Sequence, residues 1–318
     1  MTGYVIRRLL WIIPVLWAVA TITFFLMHAV PGGPFDQDKQ LPQVIIDNLN
    51  RRYHLDQPLW QQYVNYLWDI SHGDLGLSFR GDRDVSDLIG RGFFVTAQLG
   101  MLAFLFAVVI GVGLGVIAAL NQNGPGDYAG VFFATIGASV PNFVAATFLI
   151  ILFAIELPWF KIAGWGGPGS FSDIFHSSEY DLKKMVLPVI SLGLLPAAYI
   201  ARVTRASMLE VLRQDYIRTA KSKGLAEYVV ILRHTVKNAM IPVLTILGPI
   251  FAFLVTGSFI IETAFAIPGV GRAFIDAVRI RDYAMIMGST LFFALIVAVM
   301  NLLVDILYGA VDPRIRYG

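Results

Sequence analysis

The chain has 318 residues, of which 57% are hydrophobic and 14% are charged, and its formal net charge is only +2. Ordinary soluble domains are about 45–50% apolar and about 25% charged, so a soluble fold of this length could not bury so much apolar surface. The small net charge excludes a strongly basic nucleic-acid-binding protein. The absence of cysteine excludes a disulfide framework, a thiolate nucleophile and a cysteine metal site. The composition indicates one compact helical bundle in a membrane.

The first apolar run follows Arg7 and Arg8 directly and lies within an uncharged stretch from Leu9 to Phe35. A secretory signal has an apolar stretch of only about 7–15 residues and ends in a small-residue cleavage site. This run is longer, and it continues into Pro31 and two glycines. We therefore predict that residues 1–30 form an N-terminal tail and an uncleaved first transmembrane helix.

The long segment at residues 31–95 carries a helical pattern of its own. Apolar and aromatic residues recur there at three- and four-residue steps: Val44, Ile45, Leu49, Trp60, Tyr63, Val64, Leu67 and Trp68. Three glycines end the pattern: Gly73, Gly76 and Gly81. Two interpretations remain open, an external helical subdomain packed on the membrane surface and a belt of aromatic residues in the membrane interface.

Five further uncharged runs are long enough to cross a bilayer, which takes about 20 apolar residues. They lie within Gly92 to Gly126, Tyr128 to Ile155, Met185 to Ala201, Asn238 to Ile261, and Tyr283 to Val304. Pro141 predicts a kink in the second of these runs. The run from Met185 has only 17 uncharged residues, so Lys183, Lys184 and Arg202 are expected to snorkel from its ends. Residues 96–318 are thus predicted to form a five-helix core.

The distribution of lysine and arginine predicts the orientation of the six spans. Basic residues cluster between Arg202 and Lys237, in the connection between the fourth and fifth spans. Short loops rich in lysine and arginine face the cytoplasm. This connection lies on the same side as the two termini, so we predict that both termini are cytoplasmic and that residues 31–95 are outside.

The cytoplasmic loop at residues 204–240 is patterned rather than merely polar. Apolar residues fall at helical steps on both sides of Gly224: Met208, Leu209, Val211, Leu212, Tyr216, Ile217, Ala220, Leu225, Tyr228, Val229, Leu232 and Val236. Gly224 suits the left-handed stop between two helices. The pattern predicts two short amphipathic helices joined by a tight turn, which would form a rigid knob. The alternative is a loop whose lysines and arginines only follow the rule that cytoplasmic loops are rich in basic residues.

The loop resembles a known family. The stretch from Asp215 to Leu225, DYIRTAKSKGL, is similar to the dipeptide/oligopeptide version of the EAA-x3-G loop of binding-protein-dependent ABC importer permeases. Later segments resemble the same family in order: RHTVKNAMIP at residues 233–242, ETAFAIPGVG at 262–271, RDY at 281–283 and DPRIR at 312–316. PGGPF at residues 31–35 and YHLDQP at 53–58 resemble the first oligopeptide permease subunit in particular. The resemblance covers nearly the whole chain.

The resemblance implies an all-α integral membrane permease with six transmembrane helices, similar to type I ABC importers and with an external helical insertion after the first span. It implies a second homologous permease subunit, two ABC ATPase subunits and an extracytoplasmic peptide-binding protein, all at the bacterial inner membrane. The chain is then a transport subunit rather than an enzyme and binds no cofactor, while ATP and magnesium belong to the partner ATPases. The absence of a G-x-x-x-x-G-K-[ST] sequence agrees with this expectation.

The resemblance also implies roles for particular residues. The ATPase-coupling loop would comprise Tyr216, Ile217, Arg218, Thr219, Ala220, Lys221, Gly224 and Leu225. A re-entrant turn, or a contact for the binding protein, would comprise Glu262, Phe265, Pro268, Gly269 and Gly271. The general importer motif begins with Glu where this chain has Arg218, so a salt bridge made by that Glu is not expected here.

Three polar residues lie near predicted span ends: His28, Glu156 and Asp305. Ionisable residues near a span are functional candidates by default, and we expect Asp305 to form a structural pair with Arg202 or Arg205. A secondary transporter driven by an ion gradient would need intramembrane ionisable residues and, often, two repeated halves, and neither is clear here. An ABC permease for nickel or another small solute remains a second alternative.

Overall fold

The computed structural model describes residues 2–30, 55–79, 83–165 and 181–311, and these residues are mostly helical. The first half contains α1 (Thr2–Ala29), α2 (Leu59–Ser71), a hairpin of β1 (Leu77–Ser78) and β2 (Arg83–Asp84), α3 (Val85–Leu120), α4 (Pro125–Ser139) and α5 (Asn142–Ile150), which a π-helical turn (Ile151–Glu156) extends. The second half contains a 3₁₀ turn (Leu182–Lys184), α6 (Val186–Leu212), α7 (Asp215–Ser222), α8 (Glu227–Val229), a π-helical segment (Val230–Val236), α9 (Lys237–Thr256), α10 (Phe259–Ala264), α11 (Val270–Ile280) and α12 (Tyr283–Val311).

Five helical segments of the described chain are long and apolar enough to cross a membrane: Val5–Ala29, Val85–Leu120, Val186–Leu212, Glu227–Thr256 and Tyr283–Ile306. The pair formed by α4 and by α5 with its π-helical turn makes a sixth if it counts as one bent span. Helices suit this environment because each backbone N–H and C=O is hydrogen-bonded within its own segment. The prediction of six spans agrees with this architecture.

The third span is sharply bent, as Pro141 predicts. α4 ends at Ser139, Val140 is extended (φ −89°, ψ 120°), and α5 begins at Asn142. A proline disfavours the helical conformation of the residue before it, which explains the extended Val140. The two halves meet at 106°, so the feature is a break in the helix rather than a mild kink.

One helix extends beyond its uncharged run, since α6 continues past Ala201 through Arg202 and Arg205 to Leu212. The predicted end of the fifth span is wrong. The span does not reach Ile261, because α9 ends at Thr256 and Gly257 follows with φ 89°, a conformation that glycine adopts without a steric penalty.

The centre of the bundle is the contact between α3 and α6, with α9 packed against both. A Cβ atom at Gly111 would lie 2.7 Å from the carbonyl oxygen of Ala197, and one at Gly115 would lie 2.5 Å from Cβ of Thr204. Small residues let helices approach closely in a membrane, where packing rather than hydrophobic exclusion drives helix association. These glycines therefore fix the distance between α3 and α6.

The described part of the region that the sequence predicts to be external packs on α1 through aromatic residues. Tyr63 of α2 lies with its ring 5.3 Å from that of Phe24, and its hydroxyl is 2.7 Å from the hydroxyl of Thr21. Trp60 and Trp68 of the same helix are exposed. The helical pattern from Trp60 to Trp68 is confirmed by α2, whereas the pattern at Val44, Ile45 and Leu49 lies outside the described residues. The division at residues 31–95 stays a prediction.

Candidate functional site

The hairpin, which we define as residues 204–240 and which the sequence predicts to be cytoplasmic, is built around a left-handed glycine. α7 ends at Ser222, and Gly224 follows with φ 76°. Its N–H donates to the carbonyl oxygen of Lys221 at 2.9 Å. A Cβ atom at Gly224 would meet nothing within 4 Å, so the backbone conformation alone calls for glycine there. The predicted turn is confirmed.

One face of α7 anchors the hairpin to the bundle. Ile217 and Ala220 are buried and form a cluster with Val230, against which Val211 of α6 packs. A short helix in isolation is marginal in water and depends on the packing of its apolar face. The four residues therefore couple the position of α7 to both the fourth and the fifth spans.

The second helix predicted for this hairpin is not a separate element. α8 leads into the π-helical segment and directly into α9, so Glu227–Thr256 form one continuous helical segment. Within the π-helical segment, the hydroxyl of Thr235 donates to the carbonyl oxygen of Val230 at 3.1 Å. Insertions of this kind recur at functional sites in helices. The part of the hairpin after the Gly224 turn is thus continuous with the fifth span.

The other face of the hairpin is exposed. It includes most of the predicted coupling residues, namely Tyr216, Arg218, Thr219, Lys221, Gly224 and Leu225. Arg218 forms an exposed pair with Asp215 at 3.6 Å, and such a pair contributes about 0–1 kcal/mol to stability. Tyr216, Leu225, Tyr228 and Leu232 are between 42% and 68% exposed. A cluster of exposed large apolar side chains is typical of an interaction surface.

A bidentate ion pair fixes the base of the same end of the bundle. Arg205 of α6 donates from Nε to Oδ1 of Asp127 at 2.6 Å and from Nη2 to Oδ2 at 2.7 Å. Asp127 also accepts from the N–H of Asn123 at 2.9 Å. Bidentate arginine–carboxylate pairs hold a defined geometry, so this pair locks the start of α4 to α6. The sequence alone does not identify Asp127 as the partner of Arg205, although it places an acidic residue on the same predicted side as the arginine-rich connection.

The predicted partners of Asp305 are wrong. Nη2 of Arg8 lies 2.6 Å from Oδ2 of Asp305, whereas Arg205 pairs with Asp127. Because α1 packs on α12, Arg8 of α1, and not an arginine of α6, lies beside Asp305. Among the other polar candidates, His28 has Nδ1 2.8 Å from the carbonyl oxygen of Phe24, and Glu156 is exposed in the π-helical turn.

On the opposite end, Glu262 of α10 is the centre of a buried polar node. The hydroxyl of Thr96 donates to Oε1 of Glu262 at 3.0 Å, and the N–H of Arg272 donates to Oε2 at 3.1 Å. The N–H of Val270 donates to Thr96 Oγ1 at 3.0 Å. Burial raises the pKa of Glu262 to about 7. This node ties α10 and α11 to α3.

Three glycines make room for the Glu262 carboxylate. A Cβ atom at Gly257 or at Gly271 would lie 2.9 Å from a carboxylate oxygen, and one at Gly269 would be closer still. Phe265 is fully buried in the central apolar cluster, and Pro268 is exposed. Of the five residues predicted for this outer segment, Pro268 alone is exposed, and the other four build the node and its packing.

An open cleft of about 650 Å³ lies beside the node, between β1, β2, α3, α11 and the start of α12. Its charged lining comprises Arg83, Arg91 and Arg272 with Asp276 and Asp282. Asp282 is buried and accepts from the N–H of Met285 at 3.1 Å. The cleft is therefore net positive.

Within the described ranges, no group of three or more His, Cys, Asp or Glu side chains could hold a metal ion. The described residues therefore suit a mechanical role. The hairpin is packed against two spans at one end of the bundle, and the Glu262 node joins α3, α10 and α11 at the other end.

Comparisons with known proteins show the family of the chain and its fold. Residues 111–317 match the family of binding-protein-dependent transport system inner membrane components, and residues 1–100 match the N-terminal region of such components. The dipeptide transport system permease protein DppB of Bacillus subtilis is 45% identical over 99% of this chain and 98% of its own length. The oligopeptide transport system permease protein OppB of Salmonella typhimurium is 43% identical over the full length of both chains, and that of Escherichia coli is 42% identical over the same span.

Two solved structures share the fold at low identity. An inward-facing structure of the MetNI methionine ABC transporter has a TM-score of 0.53 and 15% identity, and covers 71% of this chain and 96% of its own. An amino acid ABC transporter has a TM-score of 0.52 and 16% identity, and covers 70% and 93%. These likenesses concern the fold alone.

Proposed function

Because the chain belongs to the family of binding-protein-dependent transport system inner membrane components, we propose that it is the permease subunit of an ATP-binding-cassette importer for oligopeptides or dipeptides. The observation that carries the substrate class is the identity of 42–45% over nearly the whole length to permeases named for dipeptide and oligopeptide transport. The family is one of transport subunits, so the chain is a multi-pass permease of the inner membrane and not an enzyme.

The cytoplasmic hairpin is the part through which ATP hydrolysis would reach the spans. Its exposed face carries Tyr216 and Leu225, and its buried face is clamped to α6 and to the segment that continues into α9. Shifting a two-state transporter from 1:99 to 99:1 takes about 5.5 kcal/mol, so the connection between the ATPase and the spans has to be stiff. The Arg205–Asp127 pair stiffens the same end.

The complete importer would contain a second homologous permease, two ABC ATPase subunits that bind ATP and magnesium, and an extracytoplasmic peptide-binding protein. The two permeases would enclose the peptide path between them. Closure of the ATPases would draw the two hairpins together and open the path outward, and hydrolysis would reverse this movement. With the hairpin in the cytoplasm, both termini of this chain would be cytoplasmic.

The outer segment would contact the binding protein through its exposed rim rather than through its buried node. Pro268 is exposed beside the net-positive cleft that Arg83, Arg91 and Arg272 line. Complementary charge favours fast and oriented association. An acidic surface of the binding protein would therefore meet this cleft, while Glu262 and the glycines keep its shape.

The proposal is tested by purifying the tagged chain in mild detergent and reconstituting what comes with it. We expect ATPase subunits to co-purify, and we expect peptide uptake that needs both ATP and the binding protein. The control is the same preparation in the presence of an uncoupler. Uptake that collapses with the proton or sodium gradient while ATP is present would contradict the proposal and favour a secondary transporter. Uptake of nickel or another small solute in place of peptides would contradict the substrate class only.

A further inference from the structure

The break in the third span lies in the interior of the bundle. A Cβ atom at Gly137, in the last turn of α4, would lie 3.0 Å from Cβ of Ala198 and 3.4 Å from the carbonyl oxygen of Leu194. Leu194 is near the centre of the uncharged run from Met185 to Ala201. α4 begins at the hairpin end of the bundle, and α5 packs on α10 at the opposite end. The break is therefore close to the middle of the bilayer.

The break leaves backbone polar groups unpaired. Val140 (ψ 120°) and Pro141 (ψ 142°) are both extended, so the last carbonyl groups of α4 and the first N–H groups of α5 cannot bond to one another. Hydrocarbon offers such groups no hydrogen bond, and irregular backbone occurs at this depth only where protein or water surrounds it. Ser139, Pro141 and Phe143 are exposed, so the described part of the chain does not cover the break. The break therefore faces water or another protein rather than lipid.

Two polar side chains flank the break, the exposed Ser139 and the half-buried Asn142. Neither makes a side-chain hydrogen bond to another described residue. By contrast, the hydroxyls of Thr135 in α4 and Thr147 in α5 each donate to a carbonyl oxygen of their own helix at 2.8 Å. An asparagine amide carries two N–H donors and an acceptor oxygen, and a serine hydroxyl both donates and accepts. Polar side chains at this depth are functional candidates by default.

The main chain of a peptide matches this chemistry. No acidic or basic side chain lies between Asp127 and Glu156 in the sequence, so the break offers hydrogen bonds without charge. A peptide carries one N–H donor and one carbonyl acceptor at every residue except proline, whereas a nickel ion would prefer imidazole ligands. A second permease would leave the polar groups of the break unpaired unless its own groups matched them in position. Water in an open path satisfies them between peptides.

We propose that the break lines the substrate path, where Asn142 and Ser139 bind the main chain of a passing peptide. This role rests on the proposed function and names the chemistry that the path recognises. Contacts to the main chain leave the side chains of the peptide unread, so the site accepts peptides of different sequence.

The first test measures whether water reaches the break. In this cysteine-free chain, Ser139→Cys is exposed to a charged methanethiosulfonate reagent in the assembled transporter in lipid vesicles. We expect labelling of this chain that an excess of transported peptide suppresses. Ser289→Cys, the same change at a position of α12 that is 0% exposed, is the control and should stay unlabelled. Absence of labelling at Ser139→Cys in a preparation that imports peptide would overturn the proposal, and so would its cross-linking to the second permease in place of labelling.

The second test pairs a variant with an altered peptide. Asn142→Leu should lower kcat/KM for uptake of a tripeptide about fivefold. For the same peptide N-methylated at its central peptide bond, the loss should be about twofold or less, because the donor is already missing. Thr147→Val, which removes a hydroxyl already bonded within α5, should match the unaltered chain. An equal loss for both peptides, or no loss for either, would overturn the main-chain contact. Failure of the proposed function would show differently, since the unaltered chain would then import neither peptide with ATP.

Discussion

Replacing Gly224 with valine tests the mechanical role of the hairpin at one backbone position. Gly224 has φ 76°, and a Cβ atom there would meet nothing within 4 Å, so the substitution changes the backbone preference without a clash. A left-handed conformation costs a non-glycine residue about 1–2 kcal/mol, which is a factor of about 5–30 in an equilibrium. We expect peptide transported per ATP hydrolysed to fall at least fivefold in proteoliposomes.

Two control variants separate coupling from general strain. Gly224→Asn should retain most of the coupling, because asparagine tolerates the left-handed region. Gly73→Val places the same change at φ 82°, also with nothing within 4 Å, but in the outer region, and should leave coupling intact. Wild-type coupling in Gly224→Val, or an equal loss in Gly73→Val, would refute the reasoning.

Three further predictions concern other parts of the molecule. Gly111→Ala should cost about 1–3 kcal/mol and lower the thermal midpoint in detergent, whereas Gly113→Ala, where a Cβ atom would meet nothing within 4 Å, should not; equal midpoints would contradict the packing. Burial raises the pKa of Glu262 from 4.5 to about 7, so the folded segment retains a proton that the unfolded chain releases. The stability of this segment should therefore fall as the pH rises from 5 to 8. In hydrogen exchange, Glu262→Gln should flatten this pH dependence. An unchanged slope would contradict the role of Glu262. In this cysteine-free chain, single cysteines at Asp56 and Lys221 should label from opposite faces of the membrane, and labelling from one face would contradict the topology.

The sequence predicts the spans well because each is a local property. A long uncharged run forms a helix in hydrocarbon, where the backbone polar groups have to be hydrogen-bonded within the segment. Pro141 and Gly224 determine the conformation of the backbone at or next to their own positions. Boundaries are harder to predict because they depend on contacts between distant residues. α6 carries Arg205, whose charge is paired with that of Asp127, 78 positions away. α9 stops at Thr256 because the next residue, Gly257, lies against the Glu262 carboxylate.

In the candidate sites, too, the sequence predicts the local features, whereas features that depend on distant contacts are not predicted. The turn at Gly224 follows from glycine and helical periodicity, but the fusion of the second hairpin helix with α9 does not. The outer segment was recognised by its motif, whereas the role of Glu262 depends on Thr96, which is 166 positions away. Likewise, the sequence predicts that Asp305 pairs with an arginine of the fourth span, whereas the first span supplies Arg8. Which of several like charges reaches a carboxylate is decided by helix packing.

The central claim is that the exposed face of the hairpin docks on an ATP-hydrolysing partner. A photoactivatable residue at position 216, where Tyr216 is 44% exposed, tests it in the assembled transporter. We expect a covalent adduct with an ATPase subunit whose yield changes when ATP binds. Absence of that adduct in a preparation that still imports peptide would contradict the account.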